Sequence, residues 1–186
     1  MEINKQIEIP LNKKKIIFLF FICIAFLLIG LWFIFKPPVI SNSYWGNPTR
    51  MYLAGIGGIF IGALGSVAFF IKLFDKKPGL IINDQGVFDN ASGVAAGLVA
   101  WQDIVGLRTF NEANQRGLIL IVKNPEFYLN RQKNFLKRKL MNMNNDKFDS
   151  PINIPAIGLK CNFDELCKTI RDKFDERKEA HTPNSG

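Results

Sequence analysis

Histidine is almost missing from this sequence: 186 residues hold one, His181, in a polar C-terminal stretch. Serine–histidine–aspartate and cysteine–histidine sets therefore lack a base, and histidine-containing zinc patterns lack their ligands. Cysteine is scarce too. Cys23 lies in an apolar run and reads as a small apolar filler. Cys161 and Cys167 are separated by five residues, a spacing that matches no zinc motif. Both read as buried residues beside a terminal helix, and a cytoplasmic setting disfavours a structural disulfide. No glycine-rich loop ends in Lys-Ser or Lys-Thr, and Gly93–Gly97 lacks a strand-to-helix context. Asp84, Asp89 and Asp103 read as turn and surface carboxylates rather than as metal ligands, and Trp101 reads as core. These absences predict a non-enzymatic chain with neither metal nor cofactor.

Charge is absent from two long stretches. Ile16–Phe35 runs for 20 residues and Met51–Ile71 for 21 without one ionisable acid or base. Each is long enough to cross about 30 Å of hydrocarbon as a helix. The first exceeds a signal-peptide core and is followed by Lys36-Pro37-Pro38 rather than a small-residue cleavage site, so both are expected to be retained. No ionisable residue lies within them, which disfavours a transporter or proton channel. The expected organisation is a basic N-terminus over residues 1–15, a transmembrane hairpin over 16–71 with an outer loop 36–50, a domain over 72–179 and a polar tail, 180–186.

Basic residues set the expected orientation. Lys5, Lys13, Lys14 and Lys15 precede the first run, and Lys72, Lys76 and Lys77 follow the second; the loop has only Lys36 and Arg50. The positive-inside rule puts both termini in the cytoplasm of a two-span protein of the cell inner membrane, with Tyr44, Trp45 and Tyr52 as interfacial anchors. Within the second run, Ala54, Gly58, Gly62 and Ser66 recur every fourth residue and form a small-residue stripe. Its partner is either the first span or the same helix of a second copy, which would make a homo-oligomer.

Beyond residue 77 the texture changes. Leu80–Ile82 and Val87–Phe88 flank the turn Asn83-Asp84-Gln85-Gly86, Leu98–Trp101 begins another strand, and Gly117–Lys123 is the strongest strand signal. Asn124-Pro125 opens a helical insert, 125–143, whose Leu129, Leu136, Leu140 and Met143 share one helical face. Pro151–Pro155 reads as a short edge strand. The final helix carries Phe163, Leu166, Cys167, Ile170 and Phe174 on one stripe, with Asn162 as its cap and Asp164 and Glu165 in its first turn. This order predicts an α+β domain: a small curved antiparallel sheet or barrel closed by a C-terminal capping helix.

The series Gly79-Leu80-x-Ile82, turn, Gly86-Val87, then Trp101-x-Asp103-Ile104-x-x-Leu107 resembles bacterial membrane proteins with pleckstrin-homology-like (PH-like) domains. That resemblance implies two N-terminal spans joined to one PH-like domain, in a group whose members mostly have no assigned function. Phosphoinositide-binding PH domains carry basic residues around the first hairpin turn. Asn83-Asp84-Gln85-Gly86 has none, so headgroup binding of that type is not implied.

One charged feature remains. Arg131, Lys133, Lys137, Arg138 and Lys139 place five cations in nine residues without an acid. A nucleic-acid site is disfavoured, because only Phe135 interleaves and the domain is tethered to a membrane. The alternatives are a solvated helix face and contact with anionic lipid. The expected function is a membrane-anchored binding or scaffolding protein that presents its domain to lipid or to an unidentified protein partner. The alternative is a membrane-embedded immunity or stress protein whose hairpin and outer loop meet a toxin or a membrane enzyme.

Overall fold

The computed structural model describes residues 6–36, 47–112 and 115–180. Tyr44, Trp45, Lys5, most of the expected outer loop and His181 lie outside the described residues. The chain divides into two compact units: one is Lys13–Lys76, and the other joins the described residues of Met1–Asn12 to those of Lys77–Gly186.

The first unit is an antiparallel pair of helices, α1 (Lys13–Phe35) and α2 (Pro48–Phe74). Both are long and apolar enough to span a membrane. Only 11% and 17% of their most apolar stretches are buried, far less than in the core helix of a soluble protein. Each extends beyond its uncharged run. Asn47 caps α2, its side chain accepting from the Thr49 amide at 3.0 Å, and Pro48 takes the first helical position, where its missing N–H costs nothing. The Lys13 ammonium donates to the carbonyls of Lys72 (3.1 Å), Leu73 (2.8 Å) and Asp75. A cation at the start of α1 is disfavoured by its own helix dipole. Here it neutralises the carbonyl end of α2 instead.

The helices meet along glycine. A β-carbon added at Gly62 would lie 2.6 Å from the Leu27 nitrogen and 2.7 Å from the Cys23 carbonyl oxygen. At Gly55 it would meet the Gly30 carbonyl at 2.9 Å, and at Gly30 the Gly55 carbonyl at 2.7 Å. Gly58 is looser, with the Phe26 carbonyl at 3.3 Å. Ser66 is buried and donates to the Gly62 carbonyl at 2.6 Å. The seam is thus Met51, Gly55, Gly58, Gly62 and Ser66. Ala54 is only half-buried, one position off the contact line, because the seam includes one step of three, from Gly55 to Gly58, rather than holding at four. Gly58 and Gly62 of the expected stripe approach the first span.

The second unit holds two small antiparallel sheets and a C-terminal helix. One sheet runs β1 (Ile7–Ile9), β2 (Leu80–Ile82), β3 (Gly86–Asp89), β4 (Gly97–Ala100); the other runs β5 (Ile104–Glu112), β6 (Gln115–Val122), β7 (Asn153–Pro155). A short 3-10 turn, Trp101–Asp103, carries the chain from β4 into β5. The N-terminal segment, expected as a basic tail, is part of this unit. Ile9 pairs with Leu80, the Gly79 amide donates to the Ile9 carbonyl at 2.8 Å, and Leu11 bridges to Leu159. Gly79 allows this passage: a β-carbon there would meet Leu159 at 2.6 Å and Leu11 at 3.0 Å. Ile9 and Leu11, both buried, supply the apolar reason for the pairing.

The run Leu118, Ile119, Leu120 and Val122 is buried throughout, as suits the central strand of its sheet. The insert after it is two helices rather than one: α3 (Pro125–Arg131) and α4 (Phe135–Phe148). Asn134 divides them because its side chain accepts from the Lys137 amide at 3.1 Å and starts a new helix. The terminal helix, α5 (Phe163–Ala180), buries Phe163, Leu166 and Ile170, with Cys167 and Phe174 half-buried against the same core.

The glycine seam yields a graded expectation. Gly62→Ala should cost on the order of 1–3 kcal/mol, because backbone atoms block the added methyl group, and Gly58→Ala should cost less. Reversible unfolding of the full chain in mild detergent measures both; equal effects would move the tight contact away from Gly62.

Candidate functional site

The candidate surface is built by α3 and α4. Asn124 caps α3, accepting from the Phe127 amide at 3.2 Å, and α4 ends in Asp149, whose left-handed backbone (φ 56°) closes the last turn. These caps fix which way α4 faces. Met141 is completely buried, with Lys137, Asn144 and Phe148 half-buried on the same side. Asn145 is half-buried beside them, and the remaining residues of the helix face out.

That orientation overturns the expected single apolar stripe. Leu129 belongs to α3 and is buried, whereas Leu136, Leu140 and Met143 lie on the exposed side of α4. The break at Asn134 shifts the helical phase, so a pattern continuous in sequence is not continuous in space. The outcome is an exposed apolar edge: Phe135 is 80% exposed and Met143 56%, and Met143 and Leu136 lie between Phe135 and Leu140 on the wheel. Phe127 on α3 is also exposed.

The five cations do not act alike. Lys133, Arg138 and Lys139 are exposed, and Lys137 is half-buried. Arg131 is tied to its own domain: its guanidinium donates to the Ala96 carbonyl and lies over the Tyr128 ring, 5.0 Å from the centroid. It fastens α3 to the β3–β4 loop, and Lys137 lies on the half-buried side of α4, so the outward cations are Lys133, Arg138 and Lys139. Lys147, farther along α4, pairs with Glu112.

The remaining polar residues singled out in the sequence have separate structural duties. Asp89 is buried and accepts from the Ala91 and Ala96 amides, each at 2.9 Å. Asp103 accepts from the Tyr128 hydroxyl at 2.8 Å. Burial, and then that hydrogen bond, push the Tyr128 hydroxyl pKa up to about 12. Asp84 pairs with Arg177 at 2.7 Å. Arg116 pairs with Asp164 and lies 4.6 Å over the Phe163 ring; their hydrogen bond lowers the carboxyl pKa and raises that of the guanidinium. Cys161 is exposed rather than buried, since it precedes α5 on the surface, and Cys167 is half-buried with its thiol pKa raised mainly by that burial. Trp101 is 7% exposed and donates its indole N–H to the Asn83 carbonyl at 2.8 Å. Among the described residues, no three His, Cys, Asp or Glu side chains come together as a metal site would require.

Comparison with family models, curated proteins and solved structures found no match to this chain. The chemistry of the surface is therefore read from its residues: an apolar edge on one flank of a helix, with cations interspersed along it and beside it.

The different duties of the cations are measurable. Arg131→Ala should destabilise the protein by about 1–3 kcal/mol, since it removes a charge-assisted hydrogen bond and leaves Ala96 short of a donor. Arg138→Ala, on the open face, should stay within about 0.5 kcal/mol of wild type. Equal losses in denaturant titrations would contradict the distinction.

Proposed function

We propose that this chain is a non-enzymatic, membrane-anchored binding protein of a bacterial inner membrane, whose PH-like domain holds α4 against anionic lipid. The observation that carries this reading is the exposed edge Phe135, Leu136, Leu140 and Met143 beside Lys133, Arg138 and Lys139. Monomeric soluble surfaces seldom leave such an apolar edge open. An interfacial helix buries this kind of edge at the headgroup boundary while its cations meet anionic lipid. Each Lys or Arg near such a surface contributes about 1 kcal/mol, decaying within a Debye length. Two small antiparallel sheets and a terminal helix laid on their core support the PH-like assignment.

Orientation is part of the proposal. β1 precedes both long helices and β2 follows them, yet the two strands pair. A chain that crosses a bilayer through α1 must therefore return through α2. The lysines at 13–15, 72, 76 and 77 then favour the cytoplasmic side for that domain.

Contact with lipid is tested on the full chain in nanodiscs, with Cys23, Cys161 and Cys167 replaced by Ser and a bimane label on Met143→Cys. Nitroxide-bearing lipid should quench the label more strongly in anionic than in zwitterionic bilayers. High salt, or the set Lys133→Glu, Arg138→Glu and Lys139→Glu, should remove most of the difference. Identical quenching in both bilayers would sink the reading. For orientation, exposed Cys161 should resist an impermeant thiol reagent in intact cells and react once the membrane is opened; labelling of intact cells would reverse it.

A further inference from the structure

A second site opens at the end of β2 opposite Leu80. A half-open cleft of about 680 Å³ is bounded by the β2–β3 turn, the Trp101–Asp103 corner, the start of β5, Lys123 and the last turns of α5. Its volume lies within the range of small-molecule pockets, roughly 300–1,000 Å³. None of its lining belongs to α3 or α4, so it is distinct from the lipid-facing surface.

The walls are built in advance of any ligand. Asn83 organises the turn, its side-chain oxygen accepting from the Gln85 and Gly86 amides at 3.0 and 3.2 Å. The Trp101 indole is bonded to the Asn83 carbonyl, and the Trp101 amide to Gln85 at 3.3 Å. The Lys123 amide donates to the Asp103 carbonyl at 2.9 Å, which fixes the lysine beside the corner. On the far side, the Arg177–Asp84 pair holds the end of α5 to the turn. Four separate ties thus leave little ordering for a ligand to impose, which favours binding.

The lining has two characters. Trp101, Ile104, Val105 and Phe174 supply apolar surface, and Val105 is half-exposed. Lys123, Arg177 and Lys178 supply three cations against the single carboxylate of Asp84. That carboxylate already faces Arg177, so the positive excess of the cleft is centred on exposed Lys123. Inorganic anions would leave the aromatic wall unused, and a neutral hydrocarbon would leave the cations unanswered.

We propose that this cleft binds a small organic anion: one carboxylate or phosphate group, held by Lys123 and the end of α5, on an apolar body seated against Trp101, Val105 and Phe174. The charged group recognises the rim, and the apolar body gains by leaving water.

The test uses the full chain in nanodiscs with Trp32→Phe and Trp45→Phe, which leaves Trp101 as the sole indole. The probes are nitrobenzoate and nitrophenyl phosphate, whose nitroaromatic rings quench a nearby indole, with neutral nitrobenzyl alcohol for comparison. Both anions should quench Trp101 saturably. The alcohol should need about ten-fold more, and Lys123→Glu and Val105→Asp should each weaken the anions about ten-fold. Lys123→Gln, milder at an exposed position, should weaken them less while leaving the thermal midpoint unchanged. Linear quenching by all three probes, or indifference to both Lys123 variants, would overturn the site. An acidic, phenylalanine-bearing peptide that saturates Trp101 quenching below the concentration needed for nitrobenzoate would overturn it as well, in favour of a protein partner.

Discussion

The pairing of β1 with β2 is the constraint on which the architecture rests. Only three residues pair on each side, Ile7–Ile9 with Leu80–Ile82, but the segment between them in sequence contains both long helices. The two ends of that segment must therefore meet. The helical unit satisfies the same demand with its own means: Lys13 at the start of α1 reaches the last carbonyls of α2. Glycine serves both closures. Gly79 lets the N-terminal strand pass beside Leu159, and Gly30, Gly55 and Gly62 let two helix backbones approach.

Asparagine does much of the local punctuation. Asn47, Asn124, Asn134 and Asn162 each accept a backbone amide at a helix start, and Asn83 does so in the turn behind Trp101. Each satisfies an amide that a helix or turn would otherwise leave bare. These side chains decide where α4 begins and how the cleft wall is held, so residues with no reactive chemistry shape both candidate surfaces. The carboxylates are used similarly, since Asp89, Asp103 and Asp84 each hold a different connection.

Much of this was legible in the sequence because its signals were strong and local. Uncharged runs of helical length, the apolar stripe of α5 and the turn at Asn83–Gly86 all reflect short-range periodicity or turn chemistry. What stayed hidden depended on distant partners. Ile7–Ile9 is a three-residue strand with a charged Glu8 at its centre, and nothing near it announces β2 more than seventy positions away. The stripe from Leu129 to Met143 misled for the opposite reason: its spacing was sound within each helix, and one asparagine between them changed the phase. Arg131 was grouped with its neighbours by charge, although its guanidinium answers a carbonyl that only tertiary structure brings near. The cleft beside Trp101 joins four separate stretches of chain, and no window of sequence holds it.

The place of β1 also sets an order of events during synthesis. On the membrane reading, Ile9 and Leu11 leave the ribosome before either long helix, and their partners at Leu80 and Leu159 come only after both. At translation rates of about 5–20 residues per second, the strand waits several seconds with an open edge and exposed apolar side chains. It gains its neighbour only when α1 and α2 have been inserted and have brought the chain back. Completion of the sheet thus becomes, on that reading, a checkpoint on insertion: a chain that fails to integrate its hairpin also keeps an unfinished sheet with an exposed strand edge.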